Sequence, residues 1–172
     1  MTSMLTVGHG TLAADALGDL LRGHGVQEVV DVRRFPGSRR HPHVKRSRLA
    51  VWLPERGIDY RWDERLGGRR RGPDPSPNSS VRNPSFRAYA DHMSQAPWKQ
   101  ALSELMADAS RRRVVVMCSE AVWWRCHRRF IADAAVLLHG TPVEHLMHDG
   151  RTHAHPPMPE ARVLDGQLRY DR

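Results

Sequence analysis

The sequence predicts a single α/β domain with a small, mainly parallel sheet flanked by helices. Short apolar runs alternate with segments of helical periodicity, which is the pattern of strands joined by crossover helices. The 172 residues are enough for one domain with its own hydrophobic core. Neither a repeat nor a linker divides the sequence, so we expect residues 1–172 to form one domain.

The first β-α-β unit is predicted over residues 4–32. Residues 4–7 form an apolar run typical of a strand, and Thr11 can cap a helix over residues 12–22. Glycines at positions 23 and 25 end this helix, and residues 26–32 predict a buried strand. Strands joined in this way normally pair in parallel.

The alternation continues beyond this unit, interrupted by two basic loops at residues 33–48 and 66–82. Helices are predicted at residues 48–56, 86–93, 98–110 and 126–139. Strands are predicted at residues 58–62, 114–117 and 143–146. The tail over residues 146–172 contains prolines and histidines, and residues 162–168 predict an edge strand.

Positive charge dominates the composition, with a net charge of +8 and a pI of about 10.6. Lys45 and Lys99 are the only lysines, so the basic residues are almost all arginine. GC-rich coding and a functional need explain equally well why the basic residues are arginine and not lysine. GC-rich coding does not explain why the positive charges are clustered. Clustered positive charge indicates an anionic partner, most simply DNA, with RNA as the other candidate.

Several classes of protein are excluded. Two cysteines, Cys118 and Cys126, cannot form the disulfide framework of a small secreted domain. The N-terminal residues lack the pattern of a signal peptide, and no apolar run reaches the ~20 residues that a membrane span needs. We therefore expect a soluble, cytoplasmic protein with no membrane partner.

Polar side chains follow three of the predicted strands. His9 comes after the first strand, Asp31 and Arg33 end the second, and Cys118 and Glu120 follow the strand at residues 114–117. Ligands of parallel sheets bind at the carboxyl ends of the strands. We therefore expect the functional site at this edge of the sheet.

These residues suit more than one chemistry. Cys118 could be a nucleophile, because nearby arginines favour the thiolate, but free cysteines are also common as buried apolar side chains. Asp31 or Glu120 could be a general base, or could hold an arginine in an ion pair. The paired short spacings of structural zinc sites do not occur, so we predict no metal and no other cofactor.

The two basic loops supply the expected contacts to the anionic partner. Basic residues interleaved with aromatic side chains suit phosphates and stacked bases. The predicted nucleic-acid contacts are Arg33, Arg34, Arg39, Arg40, Arg69, Arg70 and Arg128.

Four stretches resemble a known family: VGHG, VVDVRRFPGSRRHPHV, GIDYRWDERLGG and VVVMCSEAVWWRCHRRFIAD. They are similar to the family catalogued as domain of unknown function 488, over about residues 6–145. Members are often labelled loosely as DNA repair proteins, which agrees with the basic loop. Gly10 stands where members usually have serine or threonine, which argues against a hydroxyl role there. The matching residues are His9, Asp31, Arg33, Arg39, Tyr60, Gly67, Gly68, Cys118, Glu120, Cys126, His127 and Arg128.

Our leading hypothesis is a DNA repair enzyme, a monofunctional DNA glycosylase that hydrolyses the N-glycosidic bond of a flipped modified base. Asp31 or Glu120 would stabilise the oxocarbenium-like transition state and orient water. His9 or His127 would donate a hydrogen bond or a proton to the leaving base. No lysine lies in any motif, which argues against a Schiff-base lyase step. The base pocket would be formed by Tyr60, Gly67, Gly68, Trp123 and Cys126.

Two alternatives stay open. One is a thiol-dependent enzyme that uses Cys118 on a small anionic substrate bound by the arginines. The other is a non-catalytic nucleic-acid-binding module. A Cys118→Ser change abolishes activity only in the first case, whereas Glu120→Gln or Asp31→Asn abolishes glycosylase activity and spares DNA binding.

Overall fold

A six-stranded sheet forms the centre of the protein in the computed structural model, which describes residues 3–172. The strands β1 to β8 are Met4–Gly8, Glu28–Asp31, Asp59–Trp62, Val114–Cys118, Val143–Leu146, Thr152–Ala154, Ala161–Leu164 and Gln167–Tyr170. The helices α1 to α5 are Ala14–Gly23, Arg46–Glu55, Pro84–His92, Ala96–Arg111 and Arg128–His139. Short 3-10 turns occur at Pro42–Val44, Glu64–Leu66 and Trp123–Arg125.

The strand order is β3-β2-β4-β1-β5-β6. The first five of these strands run in parallel, and β6 is antiparallel to β5 at the edge. The predicted single α/β domain with a mainly parallel sheet is confirmed. Across residues 3–172 we find no helix with the length and apolar character needed to cross a membrane.

Helices cover both faces of the sheet. Along β4, Val114 and Val116 pack into the layer formed by α3, α4 and α5, whereas Val115 and Met117 pack against α1 and α2. Successive side chains of a strand point to opposite faces, so a strand buried on both sides is apolar throughout. Burying each of these side chains stabilises the fold by roughly 1.5–3 kcal/mol.

The strand register brings the predicted site residues to one edge of the sheet. Gly8 at the end of β1 is level with Cys118 at the end of β4, and Asp31 at the end of β2 is level with Met117. The carboxyl ends of β1, β2 and β4 therefore lie side by side.

Two helices begin later than the sequence predicted. Helix α1 begins at Ala14 with Ala13 as its N-cap, so Thr11 does not cap it. The reason is a turn after β1, in which the Leu12 N–H donates to the His9 carbonyl and Gly10 has a φ of 51°. Helix α5 begins at Arg128 and not at residue 126, because the preceding 3-10 turn leaves residue 126 extended.

The end of the chain also differs from its prediction. Residues 162–168 were expected to form one edge strand, but β7 and β8 form a hairpin that pairs only with itself. Its turn is Asp165-Gly166, with φ values of 52° and 76°, as a two-residue turn of the I′ type requires. The edge position of the sheet is taken by β6, which the sequence did not predict.

Candidate functional site

A cavity of about 700 Å³ opens at the carboxyl edge of the sheet, beneath the basic loop that follows β2. This volume is typical of a small-molecule site. The predicted site residues that line it are His9, Arg33, Arg34, Arg39, Arg40, Gly68, Arg69, Cys118, Glu120, Cys126 and His127. The predicted site residues that lie outside its lining are Asp31, Tyr60, Gly67, Arg70, Trp123 and Arg128.

Asp31 lies behind the cavity wall, where it holds Arg33. The carboxylate is fully buried, and its Oδ1 accepts hydrogen bonds from Arg33 Nε at 2.9 Å and the Arg33 backbone N–H at 3.2 Å. Its Oδ2 accepts from Arg33 Nη2 at 2.7 Å and from the Tyr60 hydroxyl at 2.6 Å. Both oxygens are thus occupied, which leaves Asp31 in a positioning role.

Tyr60 was expected in the base pocket, but it lies on the far side of Asp31. Its hydroxyl donates to the carboxylate, and its ring packs with the residues beneath α1 and α2. Burial, followed by the negative charge of Asp31, raises the pKa of Tyr60 far above its ordinary value. The phenol is neutral, partly buried and bonded to Asp31, and Tyr60 does not line the cavity.

The guanidinium of Arg33, which Asp31 holds in place, lines the cavity. Its Nη2 also donates to the Val44 carbonyl at 2.7 Å, which fixes the plane of the guanidinium against the basic loop. Its Nη1 lies 3.4 Å from His9 Nε2, and this is the one described hydrogen bond of Nη1. Because Nη1 carries two hydrogens, one N–H remains to donate to a ligand.

His9 is a neutral imidazole that accepts from Arg33. Its Nδ1 lies 2.9 Å from the Gly10 carbonyl, so the ring N–H is on Nδ1 and Nε2 carries the lone pair. Burial lowers the pKa of His9 to about 4, although the bond to Gly10 opposes this shift. The ring N–H therefore faces the backbone, contrary to the expectation that His9 donates to a leaving group.

His127 also lines the cavity, and its ring donates to a backbone carbonyl as that of His9 does. Its Nε2 donates to the Val32 carbonyl at 2.9 Å, and its Nδ1 lies 3.7 Å from Cys126 Sγ. Burial lowers the pKa of His127 below its ordinary value. Donation from His127 to a leaving base would require the other tautomer and the loss of the bond to Val32.

Glu120 supplies the one carboxylate among the described residues that line the cavity. Its side chain is exposed, and its one described hydrogen bond comes from the Val122 backbone N–H at 3.5 Å. The backbone of Glu120 is fixed more firmly than its side chain. A Cβ on Gly8 would lie 1.7 Å from the Glu120 carbonyl oxygen, so β1 packs directly against this segment.

Two thiols lie in contact at the base of the cavity. The Sγ atoms of Cys118 and Cys126 are 2.7 Å apart, and both side chains are buried. Burial raises the pKa of Cys118 well above that of a free thiol. Burial acts the same way on Cys126, but the hydrogen bond from Cys118 and the charge of Arg128 outweigh it and lower the pKa of Cys126 to about 7. Of the two, Cys126 is the thiol that ionises near neutral pH.

Arg128 was expected to contact nucleic acid, and the structure corrects this. The side chain is fully buried, so no phosphate can reach it. Its Nη1 lies 2.6 Å from Cys118 Sγ, and its Nε donates to Thr6 Oγ1 at 3.2 Å. It also donates to the carbonyls of Glu120 and Ala121, which ties the segment after β4 to the start of α5.

A buried series of hydrogen bonds leads from Arg128 through β1 and β5 back to Asp133 of the same helix, and sequence reasoning missed it. Thr6 Oγ1 lies 2.6 Å from His145 Nδ1, His145 Nε2 lies 2.8 Å from His155 Nδ1, and His155 Nε2 lies 2.6 Å from Asp133 Oδ1. Burial, then the proximity of His155, lowers the pKa of His145 to about 2. The available signals were Thr6 within an apolar strand and Asp133 within an apolar helix.

The ring of Trp123 packs against this series of hydrogen-bonded residues and not in the predicted base pocket. Its ring stacks on His145 with centroids 4.3 Å apart and planes 5° from parallel. The indole lies outside the cavity lining, contrary to the prediction.

The rim of the cavity carries an exposed aromatic ring that was not among the predicted site residues. Phe35 is 62% exposed, and the guanidinium carbons of Arg34 and Arg69 lie 5.3 and 5.7 Å from its ring centroid. Arg39 and Arg40 are exposed next to it. The basic loop therefore combines cationic groups with a surface on which a planar ligand can stack.

Arg70 and Gly67 fix the conformation of the second basic loop, at residues 66–82, from outside the cavity. Arg70 Nε donates to the Gly67 carbonyl at 3.0 Å, and its Nη2 lies 3.1 Å from a Glu64 carboxylate oxygen. Arg70 thereby braces the loop from outside the cavity lining, and its predicted contact to phosphate stays a prediction. A Cβ on Gly67 would lie 2.7 Å from the Arg34 backbone, and a Cβ on Gly68 would lie 3.3 Å from the ring of His127.

Within residues 3–172, no group of three or more histidine, cysteine, aspartate or glutamate side chains is arranged to hold a metal ion. The two cysteines, which are the softest ligands in the cavity, have the Arg128 guanidinium next to them. A fixed positive charge at that point disfavours a cation.

Comparison with known proteins gives one match. A family model with the description "Domain of unknown function DUF488" matches residues 13–135, which is more than half of the chain. A search of curated proteins finds no match. A search of solved structures also finds none.

Proposed function

The chain belongs to the family described as Domain of unknown function DUF488, and because that description assigns no activity, we propose a function from the geometry of the cavity. The proposed function is that of a DNA repair enzyme, a monofunctional glycosylase that hydrolyses the N-glycosidic bond of an extruded modified base. The substrate class is an anionic polymer with a planar group that can enter a cavity of about 700 Å³.

The observation that carries the proposal is the isolated carboxylate of Glu120 within an arginine-rich cavity. Glu120 forms no ion pair with a described residue, and its side chain is free to face a ligand. Cleavage of a glycosidic bond develops positive charge on the sugar, which a carboxylate stabilises while it orients the attacking water. The surrounding arginines would hold the phosphates on either side of that sugar.

The leaving base requires a donor for its developing negative charge. The free Nη1 hydrogen of Arg33 fits this role, since Asp31, Tyr60 and Val44 fix the guanidinium in place. A preorganised donor is effective because it does not need to reorient during the reaction. In this proposal Asp31 positions Arg33, and Glu120 alone acts on the sugar.

The rim would bind the strand from which the base is extruded. Arg39 and Arg40 would contact phosphates, and the exposed ring of Phe35 would stack on a neighbouring base. Lysine is absent from the described lining of the cavity, which agrees with hydrolysis and not with a Schiff-base mechanism.

The test is a cleavage assay on labelled oligonucleotides that each carry one modified base, such as uracil, hypoxanthine, hydroxymethyluracil or an alkylated purine. Alkali then reveals abasic sites. We expect cleavage at one lesion, a loss of about 10²–10⁴-fold in the single-turnover rate for Glu120→Gln, and unchanged DNA binding by that variant. Glu55→Gln is the matched control, because Glu55 is an exposed carboxylate on α2 outside the cavity. Salt-sensitive binding without cleavage of any lesion would contradict the proposal and favour a non-catalytic binding module.

A second candidate is a thiol-dependent enzyme that acts on a small anion. The observation in its favour is the lowered pKa of Cys126, which lines the cavity. This assigns the nucleophile to Cys126, whereas the sequence favoured Cys118. If Cys126→Ser abolishes an activity that Glu120→Gln leaves intact, this second candidate is the correct one.

A further inference from the structure

The thiol pair at the base of the cavity has no part in base excision. Cys118 ends β4, and Cys126 lies in extended backbone just before α5. Their Sγ atoms are 2.7 Å apart, closer than two non-bonded sulfurs normally approach. A disulfide has an S–S distance of about 2.05 Å, so the two sulfurs need to move together by less than ~1 Å to become bonded.

The two thiols lie next to the buried guanidinium of Arg128, which has no described carboxylate as a counter-ion. Arg128 is fully buried, and its described contacts are with Thr6, two backbone carbonyls and Cys118 Sγ at 2.6 Å. None of these partners is a carboxylate. A buried guanidinium without a counter-ion is costly, and a thiolate shared between the two sulfurs would provide that counter-ion.

The two sulfurs both line the cavity, and they differ in protonation. Cys126 accepts a hydrogen bond from the Arg128 backbone N–H at 3.5 Å, which stabilises its thiolate. Its pKa is lowered to about 7, whereas burial raises the pKa of Cys118 well above that of a free thiol. Cys126 is thus suited to attack, and Cys118 is suited to remain a thiol until a second step.

We propose that Cys126 and Cys118 form a reactive dithiol, which reduces a small hydroperoxide that enters the cavity and then closes to an intramolecular disulfide. In the first step the Cys126 thiolate attacks the terminal peroxide oxygen, the O–O bond breaks, and the departing alkoxide or hydroxide takes up a proton. Cys126 is then a sulfenic acid.

In the second step Cys118 attacks the sulfur of that sulfenic acid. The S–S bond forms, the S–O bond breaks, and the hydroxide leaves as water with the proton from Cys118. One hydroperoxide is reduced and two thiols are oxidised. An external dithiol returns the pair to its reduced form by thiol–disulfide exchange.

The first test uses the unmodified protein and stoichiometric hydrogen peroxide. We expect two thiols to be lost for each peroxide consumed, and the peptide map to show one cross-link between Cys118 and Cys126. The pH dependence of the rate should have its midpoint near pH 7, whereas the urea-unfolded chain should have one near ~8.5, as an ordinary thiol does. The pH midpoint is the better readout, because a lower thiol pKa also lowers intrinsic nucleophilicity.

Two variants test the order of the steps. In Cys118→Ser the reaction should stop at the sulfenic acid, and dimedone should label residue 126. In Cys126→Ser the remaining Cys118 should stay a thiol, with about tenfold less dimedone adduct under the same exposure. Equal labelling of both variants, or single-thiol oxidation without a cross-link in the unmodified protein, would overturn the proposal. These assays measure thiols and not base release, so their outcome is separate from that of the proposed function.

Discussion

Arg33 Nη2 lies 2.7 Å from Asp31 Oδ2, and both side chains are withdrawn from solvent at the edge of the cavity. Because the two residues are separated by one position at the end of β2, the strand itself sets the geometry of the pair. The pair holds a cationic donor on the cavity wall without giving it rotational freedom.

Asp31→Asn should destabilise the protein strongly. The change leaves the Arg33 charge buried without its partner, which costs about 3–5 kcal/mol in the free energy of unfolding. Tyr60→Phe removes one hydrogen bond to the same carboxylate and should cost about 1 kcal/mol. Urea unfolding followed by circular dichroism measures both values. Equal stability of the two variants would show that Asp31 is not the anchor of Arg33.

Gly8→Ala should be poorly tolerated. The added Cβ would meet the Glu120 carbonyl at 1.7 Å, so either β1 or the segment after β4 has to shift. Overpacking of this kind costs about 1–3 kcal/mol or more, and we expect lower thermal stability together with a displaced Glu120. Gly23→Ala at the end of α1 is the matched control, because a Cβ there meets no atom within 4 Å. A thermal melt compares the two, and a harmless Gly8→Ala would refute the close packing.

The stability of the protein should fall as the pH drops below about 6.5. The pKa values of His9 and His145 are lowered to about 4 and about 2 in the folded state, so the unfolded chain binds protons that the folded chain cannot. The stabilisation is complete above the unfolded pKa of ~6.5 and is lost as the pH falls from there towards the folded values. At pH 5 each histidine contributes a loss of about 2 kcal/mol.

Urea titrations between pH 5 and pH 8 measure this dependence. His9→Gln should make the slope shallower, and His139→Gln, which changes an exposed histidine at the end of α5, should leave it unchanged. A stability that is constant from pH 7 to pH 5 would mean that these imidazoles are protonated in the folded protein.

Removal of the exposed charges of Arg39 and Arg40 should weaken binding to DNA. If both contact phosphates, the slope of log K against log[salt] should fall by about 2, since each phosphate contact contributes about 0.9. The matched control is the double change Arg22→Gln and Arg111→Gln, in which two exposed arginines at the opposite edge of the sheet are neutralised. Fluorescence anisotropy at several salt concentrations provides the comparison, and equal slopes for the two double variants would exclude the basic loop as the contact.

The sequence predicted the five parallel strands, most clearly β1 and β4, which are short and buried on both faces, but it missed β6 and the β7–β8 hairpin. It also predicted that His9, Arg33, Cys118 and Glu120 would share one edge, since parallel strands align their carboxyl ends. Sequence periodicity carries this information directly.

Direction and burial of polar side chains could not be predicted in the same way. Arg128 and Asp31 were expected to face a ligand, but both side chains are buried. Their hydrogen-bond partners include Thr6 and Tyr60, which lie far from them in the sequence. A formal charge in the sequence does not reveal whether its partner is a phosphate or a residue of the same chain. The hairpin at Asp165-Gly166 was a local signal, and a hairpin could have been predicted from it.

The position of β4 has a consequence for how the chain acquires its structure. β1 and β2 are consecutive in sequence but do not pair, because β4 lies between them and bonds to both. The sheet therefore cannot assemble progressively from one end. The contacts that close it join strands about a hundred residues apart, and such nonlocal contacts slow folding because loop-closure entropy is lost before they form. Until β4 is inserted, β1 and β2 each have an open edge, so the period before insertion is when the chain is most exposed to aggregation.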